Sequence, residues 1–247
     1  VMLKAFVGDL HIHTCLSPCA ELEMTPINIV RTCIERRIDM IAICDHNSAE
    51  NVAAVQRAAE MTELTVLAGM EITTSEEIHI LALFDSADDA ELLQRDVYSL
   101  LTPGKNDEEL FGIQVVANEV DEVEGIVDRL LIGSVDLTLD ETIDRIHRSG
   151  GLAIASHIDR NRFSLTSQLG LIPDDLNIDA LEISSSSDIE EVVKGINGAE
   201  KFPLLRSSDA HTLDIIGSGV TRFYIEDSTI DEIRMALRNE NGRNLIV

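Results

Sequence analysis

The chain has 247 residues, enough for one large α/β barrel or two small domains and for a sizeable buried core. Acidic residues outnumber basic ones by 45 to 19, a formal charge of -26, which argues against an electrostatic grip on long nucleic acid or on an anionic membrane. Aromatic residues make up only 3% and Trp is absent, so Ile, Leu, Val and Ala must build the core, as suits buried parallel strands.

Apolar runs and amphipathic stretches alternate along the chain. Strands are expected at Ala5–Leu10, Met40–Cys44, Thr65–Gly69, Ile78–Phe84, Leu152–Ala155, Ala180–Ile183, Leu204–Ser207 and Val220–Ile225. Helices are expected at Pro26–Arg37, Ala49–Met61, Ala87–Leu101, Leu139–Arg148, Ile189–Asn197 and Asp227–Leu237. The first of these opens on Thr25-Pro26, a hydroxyl N-cap followed by proline at the first helical position. Strand-helix repetition with near-continuous apolar strands predicts a closed or nearly closed parallel barrel. Residues 104–136 break the rhythm with acidic and short apolar pieces, and read as a helical insertion in a single domain.

The four cysteines, Cys15, Cys19, Cys33 and Cys44, include no C-x-x-C pair, which fits neither a structural zinc cage nor a secreted disulfide framework. No apolar signal segment precedes the first strand, and no run approaches the roughly 20 apolar residues of a membrane span. The expected location is cytoplasmic.

The histidines carry the chemistry. Six of the seven sit at or beside a strand edge: His11 and His13 in `DLHIHT`, His46 in `CDHN`, His79 in `EEIHILALF`, His157 in `IASH` and His211 in `SSDAH`. Side chains alternate along a strand, so Asp9, His11 and His13 share a face. Glu71 and Asp209 close strands beside them, and in a parallel barrel such ends meet at one mouth. His79, at the start of its run, requires that strand to be antiparallel or entered differently. Imidazoles mixed with carboxylates suit Zn, Mn or Fe. His147, in the last turn of a helix, suits the helix dipole and needs no other role.

In its order of `HIH`, `DHN`, `GME`, a His before an apolar strand, `ASH` and `SSDAH`, the chain resembles the PHP (polymerase and histidinol phosphatase) superfamily from Gly8 to His211. The resemblance implies a distorted (β/α)7 barrel, TIM-like, in which two or three divalent metal ions hydrolyse phosphoesters. It implies one ion on His11, His13, Glu71 and Asp209, another on Glu71, His79 and His157, and a third on His46 and His211. Where many members carry a further ligand after the `HxH`, this chain has `SPCA`. Pro18 cannot ligate through its side chain, so Cys19 is either the replacement ligand or a packed turn residue. Asp9 and Asp45 are candidates to orient imidazoles, with Asp45 alternatively a catalytic proton donor beside Glu71 and Asp209.

The loop `IDRNRF` after His157 offers Arg160, then Arg162, to a substrate phosphate, while Arg206 within a strand reads as a structural side chain. No nucleophile elbow or P-loop is present. The expected substrate is a phosphomonoester or a small nucleotide or oligonucleotide phosphoester. The rival readings are an amidohydrolase, for which no lysine stands at a matching strand end, and a metal-binding module without turnover.

Overall fold

The computed structural model describes residues 2–247. Strand β1 (Lys4–Ile12) begins exposed and ends fully buried, and it organises the sheet. Strands β2 (Met40–Ile43), β3 (Thr65–Thr73) and β4 (His79–Phe84) follow. A separate hairpin is formed by β5 (Val115–Ala117) and β6 (Val123–Ile126), and β7 (Leu152–Ala155), β8 (Ala180–Ile183), β9 (Leu204–Arg206), β10 (Thr221–Ile225) and β11 (Asn244–Ile246) return to the main sheet. The nine-stranded order is β11-β10-β1-β2-β3-β4-β7-β8-β9.

The sheet curls into a distorted TIM-like barrel. Its β1 to β3 run is parallel, as is its β7 to β9 run. Beyond β9 the chain passes against the end of β1: Ala210 bridges to Ile12, and the His13 amide donates to the Ala210 carbonyl at 2.9 Å. The other half of β1 is taken by β10, which pairs antiparallel from Lys4↔Ile225 to Gly8↔Thr221, so the curl stays open there.

Strand β4 is antiparallel to both neighbours. Only Thr74–Ile78 separates it from β3, far short of a crossover helix, so a hairpin is the available connection. That reversal puts His79 opposite Thr73, at the C-terminal end of β3, and so at the common mouth. The histidine that was out of place in an all-parallel barrel is in place in this one.

Helices α1 (Pro26–Glu35), α2 (Val52–Ala59), α3 (Ala87–Leu100), α5 (Leu139–Arg148), α7 (Ile189–Gly195) and α8 (Ile230–Leu237), with the short α4 (Glu108–Phe111) and α6 (Leu165–Leu169), surround the sheet. Period-two alternation sorts the core into two clusters: Ile41 and Ile43 join Ile29, Cys33 and Val55 beneath the helices, whereas Met40 and Ala42 join Leu10, Leu67, Leu81, Ile154 and Phe223. Gly69 is required in β3, because a Cβ there would lie 2.7 Å from the Ala82 carbonyl oxygen. Helix α5 starts on a reciprocal capping box of Thr138 and Glu141. His147 lies in its last turn, with Nε2 2.8 Å from Asp179.

Residues 104–136 are less helical than their pattern suggested. They hold only the four-residue α4 and the β5–β6 hairpin, and they lie over the barrel mouth. Asn51 accepts from the Ala117 amide at 3.0 Å and donates to the Val115 carbonyl at 3.0 Å. Asn47 donates to the carbonyls of Leu131 and Gly133 at 2.8 and 2.7 Å. Two short apolar pieces hydrogen-bonded to the barrel outcompete a free-standing helix that would have little to pack against. Among the described residues no helix is long and apolar enough to cross a membrane.

Candidate metal centre

Six histidines and two carboxylates converge at the mouth. Glu71, in β3, is buried, and its oxygens face five imidazoles: His79 Nδ1 at 2.9 Å, His46 Nδ1 at 3.1 Å, His157 Nε2 at 3.3 Å, His11 Nε2 at 3.5 Å and His13 Nε2 at 3.6 Å. Asp209, just past β9, places Oδ1 3.1 Å from His13 Nε2, 3.2 Å from His11 Nε2 and 3.5 Å from His211 Nδ1. Its other oxygen meets Arg160 at 2.5 Å. Both Asp209 and His157 have positive φ, 50° and 29°, a strained backbone for non-glycine residues that clusters at functional sites.

The imidazoles are oriented from behind. His11 Nδ1–H points between the two oxygens of Glu182, at 3.0 and 3.1 Å. His13 Nδ1–H donates to Ser17 Oγ at 2.8 Å, and that hydroxyl in turn donates to Asp45 at 2.7 Å. His211 Nδ1–H donates to the Asp209 carbonyl at 3.0 Å. With Nδ1 protonated in each ring, Nε2 is left as a bare acceptor, the form a metal needs. His11 Nε2 and His13 Nε2 then face each other at 3.1 Å, a separation two lone pairs tolerate only with a cation or proton between them.

The remaining chemistry fits a cation as well. The buried Nδ1 atoms of His46 and His157 make no hydrogen bond; His46 Nδ1 lies 3.1 Å from Glu71 but out of hydrogen-bonding alignment. Burial raises the Glu71 carboxyl, but His79, His11 and His46 together hold it well below its usual range. Asp209 likewise stays ionised despite its burial, through His11 and His13. Burial pushes His13 down to about 3, while against its own burial His11 is held well up by Glu182, Asp209 and Glu71. A positive charge is favoured where His11 points. Three groups of ligand atoms lie within 4.8 Å of one another: His11, His13 and Glu71; His46, Glu71 and His79; and His13, His46 and His211. These groups can hold divalent ions.

The sequence candidates land unequally. His11, His13, His46, His79, Glu71 and His211 all enter those groups, and His157 and Asp209 lie beside them. Cys19 lines the cleft but joins none of the three groups. Its thiol is pushed up to about 11 by burial and by the Asp209 and Glu71 carboxylates. Asp45 is fully buried, away from the cleft lining, with its oxygens taken by Thr14 and Ser17. It therefore orients His13 through Ser17 and does not face the cleft. Asp9 bonds no imidazole: it accepts from the amides of Ser208 and Gly217 at 2.9 and 2.8 Å, pinning the chain that returns to β1. Burial raises its carboxyl to about 6.

A cleft of about 560 Å³ opens over the centre. Arg160 and Arg162 lie on it, as do Ile132 from the segment over the mouth and Phe163, whose ring stacks on His79 at 4.9 Å. Arg206 does not reach the cleft; it donates to the carbonyls of Ser184, Ser185 and Ser187 at 3.2, 2.7 and 2.8 Å, and so shapes the loop after β8. Glu182, Ser17, Ile132 and Phe163 were not candidates from the sequence. Only Ser17 had a local signal, its place four residues after His13.

Several known proteins are similar to this chain in sequence or in fold. The uncharacterized protein YqxK of Bacillus subtilis (strain 168) is 30% identical over 107 residues, which cover 41% of this chain and 27% of that protein. The lesion-specific endonuclease PfuEndoQ of Pyrococcus furiosus superposes with a TM-score of 0.73 at 20% identity, over 99% of this chain and 58% of that one. Endonuclease Q bound to a 27-mer duplex with an abasic lesion at the active site gives 0.71 at 19% identity, over 98% and 58%. The chain thus spans well under two thirds of these relatives' lengths, and the two superpositions speak for the fold. They also correct the argument that net charge makes long nucleic acid an improbable partner, since Endonuclease Q, part of which shares this fold, is seen in complex with a 27-mer duplex. Net charge averages over the whole surface and does not fix the charge of any one cleft. The fold and the ligand groups support a metal-dependent hydrolase. Residues 9–163 match the family described as PHP domain, and residues 200–241 match the one described as PHP-associated; the chain belongs to the PHP domain family.

Proposed function

We propose that this protein hydrolyses a phosphoester of a nucleotide or a nucleic-acid strand, using two or three divalent ions of Zn, Mn or Fe. The observation that carries the reading is the single buried carboxylate of Glu71 ringed by five histidine nitrogens at 2.9 to 3.6 Å. In this reading His11, His13, Glu71 and Asp209 hold one ion, Glu71 with His79 and His157 a second, and His46 with His211 a third. Bound there, the ions would supply an activated water and neutralise charge on the phosphoryl oxygens.

The chain's own groups do the rest. Arg160, fixed by Asp209 through one nitrogen, has further N–H donors to offer a phosphate oxygen. Arg162 on the same cleft is the second phosphate-binding candidate. Ile132 and Phe163 give the cleft apolar surface that excludes water beside the reacting phosphorus. Asp45, through Ser17, holds His13 in the tautomer that ligates. The relatives' nucleic-acid substrate favours a phosphodiester over an isolated small phosphomonoester.

The test is a substrate panel on protein loaded in turn with Mn, Zn and Fe, with metal content measured on the same samples. It comprises p-nitrophenyl phosphate, nucleoside monophosphates, single-stranded and duplex oligonucleotides, and cyclic amides for the amidohydrolase rival. Turnover of at least one phosphoester, dependent on metal, is expected. Full metal occupancy without any phosphoester cleavage would sink the proposal.

A further inference from the structure

Glu182 is a charged residue in the middle of an apolar strand, `ALEI` of β8, and is 1% exposed. No Lys or Arg pairs with it among the described residues. A carboxylate is seldom buried without a cationic partner, because removing it from water costs several kcal/mol. Its bonds are instead to two histidines of the candidate metal centre. Both oxygens receive His11 Nδ1–H, at 3.0 and 3.1 Å, and Oε1 also receives the backbone amide of His157 at 3.2 Å. The Glu182 carbonyl accepts from the Ile158 amide at 2.8 Å, so the strand holds both sides of His157. His157 has a φ of 29°, positive yet short of the left-handed range that the other positive-φ non-glycine residues occupy.

We infer that Glu182 is the positioning residue that couples two candidate ligands, fixing His11 by its ring and His157 by its backbone amide. This rests on the reading that the centre holds metal ions. His11 and His13 differ in this respect: a carboxyl group stands directly behind the first, and a hydroxyl that passes the contact on to Asp45 stands behind the second. A carboxylate behind the imidazole makes Nε2 the more basic donor and locks the ring against rotation. Glu182 touches neither the cleft nor any reacting atom, so its effect runs through the histidines.

Three proteins decide it: wild type, Glu182→Gln and Glu182→Ala. Gln keeps an acceptor for the ring N–H and for the His157 amide but removes the charge; Ala removes both. Zinc affinity is measured by chelator competition, and cobalt-substituted protein is compared by its visible ligand-field spectrum. Affinity should fall about tenfold to a hundredfold in Glu182→Ala, with Glu182→Gln in between, and the cobalt bands should shift. Melting of the metal-free proteins controls for a merely structural role. Wild-type affinity and spectrum in both variants, with only metal-free melting lowered, overturns the inference. Should neither variant fold, nitrogen-15 spectra of zinc-loaded wild type still test it: His11 must show a protonated, hydrogen-bonded Nδ1, and an unprotonated Nδ1 there refutes it. A wild type that binds no zinc would instead remove the metal-centre reading on which the inference stands.

Discussion

Replacing Glu71 by Gln should strip the centre of more than one ion while leaving the fold in place. The change keeps the shape and removes one negative charge. An amide also turns one acceptor into a donor. If its NH₂ takes the place of Oε1, it meets His79 at 2.9 Å, His157 at 3.3 Å and His11 at 3.5 Å; if it takes the place of Oε2, it meets His46 at 3.1 Å and His13 at 3.6 Å. Either way it occupies space that ligand nitrogens share. Two of the three ligand groups contain Glu71, and the third, His13, His46 and His211, does not. A charge-assisted interaction of this kind is worth about 1.5–3 kcal/mol, so its removal weakens each of two ions by roughly tenfold to 150-fold in affinity. Elemental analysis after dialysis against a stepped series of free zinc should show two weakened steps and one unchanged. A Glu71→Gln protein with wild-type metal content and turnover would refute the bridging geometry. Loss of all three ions equally would mean that the groups do not act separately.

Arg160→Ala should lower kcat/KM for the best phosphoester by about tenfold to a hundredfold, with Arg160→Lys recovering part of it, since Lys offers a point charge without the planar fork. Equal activity of both variants would make Arg160 only a partner of Asp209, and Arg162 the next to substitute. Gly69→Ala should destabilise by about 1–3 kcal/mol in urea unfolding, as overpacking of a rigid site does, because its Cβ would sit 2.7 Å from the Ala82 carbonyl and 3.1 Å from that of Ile43; an unchanged midpoint would mean that the sheet yields there. Far from the mouth, Arg243 forks onto Glu232 at 3.0 and 2.7 Å and holds its carboxyl below the usual range. A carboxyl lowered on folding adds stability that is full above its unfolded pKa and fades as pH falls through its folded one. The melting gap between wild type and Glu232→Gln should therefore be largest at neutral pH and close below about pH 4; a gap independent of pH would assign the loss to packing.

The histidines that meet at the mouth were legible from the sequence because each sits in a short local pattern that strand geometry makes meaningful: in `DLHIHT` the period of two alone puts His11 and His13 on one face. The Thr25-Pro26 pair likewise located the start of α1. What the local pattern could not carry was anything decided between distant segments. The antiparallel run of β4 follows from its five-residue hairpin connection, yet only the completed sheet shows that this brings His79 to the same mouth as His157. Asp9 and Asp45 share the histidines' neighbourhood in sequence, but one pins Ser208 and Gly217 while the other reaches His13 only through Ser17. Glu182 was invisible for the opposite reason. Alternation places a residue on a face and says nothing of what stands across from it, and the imidazole that Glu182 orients lies 171 residues earlier in the chain. Sequence determined which side chains could bind metal; the curl of the sheet decided which of them meet, and which buried carboxylate holds them there.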